Sequence, residues 1–98
     1  MYLSPFLFQV ESIANEAQAR GWTLKSGGGG PERMIPGAGG SANGGAYADI
    51  ELVKNGRTLR INTVDTLADG LTPTARELEN AARIRQLTPG DHLLLIPK

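Results

Sequence analysis

The sequence predicts a single small domain of the α/β (α+β) class, with elements in the order helix, strand, Gly-rich loop, strand hairpin, helix, strand. Three observations carry this expectation. An apolar stripe at helical spacing stands near the start, an Asn-Gly turn flanked by alternating residues stands in the middle, and a second helical stripe is followed by a short apolar run. The chain has 98 residues, enough for one hydrophobic core and not two.

Ser4-Pro5 reads as a helix start, with Ser at the N-cap and Pro in the first helical position. Phe6, Val10, Ile13 and Ala17 then recur at spacings of four and three, with Leu7 and Ala14 beside them. Gly21 suits the position just past the helix end, so the first helix is expected over Pro5 to Arg20. Trp22-Thr23-Leu24 reads as a short strand. Nine of the 13 glycines fall between Gly27 and Gly45, and Pro31 and Pro36 interrupt any ladder there. Residues 26–46 are therefore expected to be a long Gly-rich loop without regular structure, either functional or a flexible insertion.

Tyr47 to Val64 reads as a hairpin around Asn55-Gly56, the pair favoured in a two-residue type I′ turn. That turn sets Lys54 opposite Arg57, Leu52 opposite Leu59 and Ile50 opposite Ile61. Ala48, Ile50, Leu52, Leu59, Ile61 and Thr63 then share the core face. Tyr47, Asp49, Glu51, Arg60, Asn62 and Val64 share the other. A connection with the turn pair Asp69-Gly70 leads to a second helix, which starts either at Thr72-Pro73 or at Thr74 with Glu77 as a capping box. Leu78, Ala81 and Ile84 mark its buried side, with Arg76, Glu79 and Arg83 pointing away. Pro89-Gly90-Asp91 ends it, and His92 to Ile96 reads as a strand buried on both faces. The order strand, helix, strand implies a parallel crossover.

Composition excludes some chemistry. Ten Lys and Arg balance ten Asp and Glu, which argues against a broad phosphate-binding surface but leaves room for a local basic groove. There is no cysteine and a single histidine, His92, so disulfides, thiolate metal sites and multi-His zinc sites are excluded. The opening MYLSPFLFQV lacks a basic region and is not read as a signal peptide. No apolar run approaches the ~20 residues that span a bilayer, so no membrane partner is expected. The Gly-rich loop is not followed by Gly-Lys-Ser/Thr and opens no helix, so it does not read as a nucleotide phosphate loop.

The strongest constellation is Asp49, Glu51, Arg60 and Asn62 on one hairpin face. It is either a solvated face with a Glu51–Arg60 cross-strand pair or a site covered by the neighbouring loop. Asp65 lies just beyond the hairpin as a second carboxylate, and Glu16 could reach the face if the first helix packs across it. Arg76 and Arg83 share a side of the second helix and could contact phosphates; a solvated face is the alternative.

The element order resembles the minimal αβββαβ core of the restriction-endonuclease-like, or PD-(D/E)XK, nucleases. Asp49 matches the first acidic position of that motif. Asn62 stands where the family has an acidic residue and Val64 where it has a Lys. The segments AYADIELVKNGRTLRINTVDT, TPTARELENAARIR and PGDHLLLIPK also resemble small toxin domains of bacterial contact-dependent and Rhs polymorphic toxins. The resemblance implies a nuclease toxin acting on nucleic acid, RNA such as tRNA before DNA. It implies a cognate immunity protein and delivery to a target-cell cytoplasm from a secreted or surface parent. Under it, Asp49, Arg60, Asn62, Thr63 and Asp65 would carry the chemistry, and Arg76, Arg83 and Lys98 would bind substrate. Asp49 with Asp65 or Glu16 could hold Mg²⁺ or Mn²⁺; a metal-independent ribonuclease using the RNA 2′-OH is equally compatible. The alternative class is a non-catalytic protein-interaction module with a degenerate version of the same fold.

Overall fold

The computed structural model describes residues 5–40 and 44–98, with side chains from residue 9 onward. Ser4, the expected N-cap, and the side chains of Phe6 and Leu7 lie outside the described residues, as do residues 41–43. The elements are α1 (Pro5–Ala19), β1 (Thr23–Gly27), β2 (Met34–Ile35), β3 (Ala46–Tyr47), β4 (Ile50–Lys54), β5 (Arg57–Val64), α2 (Ala75–Leu87) and β6 (His92–Pro97). The four longer strands form one mixed sheet in the order β1-β4-β5-β6. β1, β4 and β5 run antiparallel, and β6 runs parallel to β5 after the α2 crossover. The molecule is thus a small α+β domain with αβββαβ order in its main sheet.

Local chemistry fixes these elements as the sequence suggests. α1 closes with Gly21 N donating to the Gln18 carbonyl and Trp22 N donating to the Ala17 carbonyl, the two bonds of a Schellman motif. Asn55 and Gly56 have φ of 53° and 75°, as a type I′ turn requires. The register is the expected one, with Lys54 opposite Arg57, Leu52 opposite Leu59 and Ile50 opposite Ile61. α2 begins at the second of its two candidate starts: the Thr74 side chain accepts from Glu77 N at 3.4 Å. The Glu77 carboxylate does not close the box, but accepts from Asp65 N at 2.7 Å and ties the end of β5 to the helix.

α1 covers one face of the sheet, where Val10 and Ala14 pack on Ile50, Leu52 and Ile61. For the opposite face the sequence leaves two readings open, solvated or covered. It is not a solvated polar surface, because α2 and a small β2–β3 ladder lie over it; Ile84 packs there with Ile35, Ala46 and Leu93. Glu51, Arg60 and Asn62 are in consequence 3%, 8% and 7% exposed.

Four expectations are corrected. The Gly-rich stretch is not structureless: it contributes the end of β1, both strands of the β2–β3 ladder and a 3-10 turn at Ala38–Gly40. The strand expected from Tyr47 onward breaks at Ala48-Asp49, since Ala46–Tyr47 pair with Met34–Ile35 and not with β5. Leu78 of α2 is exposed, leaving Ala81 and Ile84 as the buried side chains. β6 is an edge strand, so it is only half covered and Leu94 stands exposed.

Candidate active site

The break at Ala48-Asp49 builds the site. β5 runs on past the last residue that β4 pairs, so Asn62 and Thr63, paired with β6 on one edge, are left open on the other. Two side chains fill that edge reciprocally. The Asn62 Oδ1 accepts from Asp49 N at 2.9 Å. The Asp49 Oδ2 accepts from Thr63 N at 2.7 Å and from Thr63 Oγ1 at 3.0 Å. The Asp49 carbonyl in turn accepts from Gly28 N at 2.9 Å. Gly27 passes so close that a Cβ there would sit 1.9 Å from that carbonyl oxygen, and its φ is +74°. Only glycine fits. Asp49 is therefore clamped from both sides, by β5 and by the Gly-rich segment.

The same segment brings Glu32 to Asp49. Partial burial, then the Asp49 charge and a hydrogen bond shared with Asp49, hold the Glu32 carboxyl above the ordinary carboxylate range. Its neighbour Arg33 reaches Glu51 instead.

Asp49, Asn62 and Thr63 form one wall of an open cleft of ≈ 320 Å³, between the end of β5 and the start of α2. Asp65, Arg76 and Lys98 complete the expected residues that converge there; Tyr47, Thr74, Glu77 and Asn80 line it as well. Lys98 Nζ pairs with Asp65 Oδ1 at 3.1 Å, and its backbone N donates to the Val64 carbonyl. Arg76 is exposed and, among the described residues, its guanidinium has no hydrogen bond or ion pair.

Three expected residues lie elsewhere. Arg60 does not face the cleft: its Nε donates to Glu51 Oε2 at 3.0 Å and its Nη1 to Asp91 Oδ2 at 2.8 Å, so the buried guanidinium joins β4 and the turn before β6. Glu16 stands exposed on α1, paired with Arg20 at 3.0 Å, while α1 covers the other face of the sheet. Arg83 donates to the Gly44 carbonyl at 3.0 Å, outside the cleft. Sequence reasoning missed Glu32 beside Asp49, and Tyr47, Thr74, Glu77 and Asn80 along the cleft. Asn80 carries a legible signal, since it lies one helical turn after Arg76. Glu32 carries none, because a loop residue reaches Asp49 only through the tertiary path of the loop.

The donor set departs from the metal centre that the nuclease resemblance implies. Asn62 turns its oxygen to Asp49 N, Val64 is buried, and no three His, Cys, Asp or Glu side chains among the described residues are grouped to hold an ion. No described helix is long and apolar enough to cross a membrane. Comparison with protein-family models, curated proteins and solved structures yields no match to this chain.

Proposed function

We propose that this chain is a nuclease toxin domain that cleaves RNA, such as tRNA, and is neutralised by a cognate immunity protein. One observation supports the reading above the others. An oriented carboxylate, Asp49, and an unpartnered guanidinium, Arg76, line one cleft large enough for a nucleotide unit. Phosphodiester cleavage needs a proton acceptor for the nucleophile and positive charge for the phosphoryl oxygens. Asp49 suits the first role and Arg76 the second. The sheet, antiparallel through three strands and then parallel after a helix, also resembles the αβββαβ order that the restriction-endonuclease-like reading expects.

RNA is favoured over DNA because of what the two motif positions hold. With Asn62 and the buried Val64 in place of an acid and a Lys, the site lacks the family's means of activating a water. RNA brings its own nucleophile. Its 2′-oxygen attacks phosphorus, the 2′-OH proton passes to Asp49, and the bond to the 5′-oxygen breaks, that oxygen taking a proton from solvent. Thr63 holds the carboxylate in position through two hydrogen bonds. No step is routed through a metal ion.

Expression of the chain in bacteria, followed by inspection of total RNA and DNA, tests the reading. Fragmented RNA with intact DNA is expected. The purified protein should cleave the same RNA in excess EDTA. Activity on both polymers only with added Mg²⁺ or Mn²⁺ would restore a metal-dependent site. No cleavage of either would favour the interaction module.

A further inference from the structure

Tyr47 is the feature of the cleft that phosphodiester chemistry does not use. Of the two aromatic side chains among the described residues, Trp22 packs on the core, whereas Tyr47 is 52% exposed. Its hydroxyl has no hydrogen bond among the described residues. Its backbone is nonetheless fixed: Tyr47 pairs with Met34 across the β2–β3 ladder, and Ala46 and Ala48 on either side are buried. The ladder thus sets where this ring leaves the backbone, at the wall of a cleft whose other lining side chains are polar or charged. Its exposed π-face is open to offset stacking against a flat ligand in the cleft. Beside it lie the unpartnered Arg76 and the Asn80 amide, which offers both donors and an acceptor.

We propose that Tyr47 is the stacking platform of a nucleobase subsite, with Arg76 on the adjoining phosphate, so that the substrate is an unpaired stretch of RNA. This rests on the nuclease reading and adds the substrate class to it. Aromatic rings stack on bases of any sequence, whereas the bases of an A-form duplex are closed to side chains. A cleft of ≈ 320 Å³ also accepts a single splayed nucleotide and not the width of a double helix. The acidic surroundings favour a base over a second phosphate, since Asp49, Asp65 and Glu77 stand close by.

The test uses the whole chain and a labelled ten-nucleotide 2′-O-methyl RNA, which lacks the attacking hydroxyl and so reports binding without cleavage. Tyr47→Ala and Tyr47→Leu should each weaken binding about 5- to 150-fold, the range of one lost base stack, while Tyr47→Phe keeps the parent's affinity. The Leu variant retains apolar bulk, so it separates stacking from packing. The fully paired duplex of the same sequence should bind weakly and equally to all four proteins. Parent-like binding by Tyr47→Leu, or tighter binding of the duplex, overturns the subsite even where the parent cleaves RNA. A parent that neither binds nor cleaves RNA overturns the subsite and the nuclease reading together.

Discussion

Asp49 is held by contacts that each have a testable consequence. A side chain at position 27 would collide with the Asp49 carbonyl and would also occupy a left-handed backbone conformation. Gly27→Ala should therefore destabilise the fold by about 1–3 kcal/mol or more, and should reduce activity beyond what the fraction folded explains. Urea unfolding and activity on the same samples check both halves. Glu32 gives a pH signature. Its carboxyl is raised from an ordinary value of 4.5, so folding favours the protonated form. Its contribution to stability is full below the unfolded value and is lost as pH rises through the folded one. Glu32→Gln keeps a neutral group there at every pH. Its thermal midpoint, relative to the parent's, should therefore rise as the pH is raised above the ordinary value of 4.5. A pH-independent difference would show that the Glu32–Asp49 pair does not form.

At the scale of elements, the hairpin turn is the part most open to a single substitution. Gly56 has a φ of +75° and Asn55 precedes it at 53°. Gly56→Val places a β-branched residue in that conformation, at about 1–3 kcal/mol, and loosens the register that aligns Asp49 with Asn62 and Thr63. A lowered thermal midpoint is expected; an unchanged one would contradict the turn type. This turn was legible in the sequence, because Asn-Gly between alternating residues has few alternative meanings. So were both helices, through Val10, Ala14 and the Gly21 end of the first and through Ala81, Ile84 and the Thr74 cap of the second. The β2–β3 ladder was not, since two-residue strands carry no periodicity and their pairing is fixed by distant partners. Arg60 shows the same limit. Its cross-strand partner Glu51 could be read from register, but its burial could not. That depends on what α2 and the β2–β3 ladder lay over the face, and on Asp91 arriving from the other side of the crossover.

In the whole molecule, the cleft exists because chain segments far apart in sequence meet at one end of the sheet. Asp49 comes from the break before β4, Asn62 and Thr63 from β5, Arg76 and Asn80 from α2, and Lys98 from beyond β6. The hairpin register brought Asp49 and Asn62 together on paper. The parallel crossover added Arg76 and Lys98 and left Arg83 outside, while α1, on the other face of the sheet, kept Glu16 away. Residues on one element could be grouped by period; residues joined only by topology could be grouped only once the packing was known. The reading of this end of the molecule as a nuclease site depends most on Asp49. The decisive measurement is RNA cleavage by Asp49→Ala, purified beside the parent, with far-UV circular dichroism and a melting curve on both. The expected result is a folded variant whose cleavage is lost by at least about 100-fold, the scale of a removed proton acceptor. A folded Asp49→Ala protein that cleaves RNA as fast as the parent would contradict it.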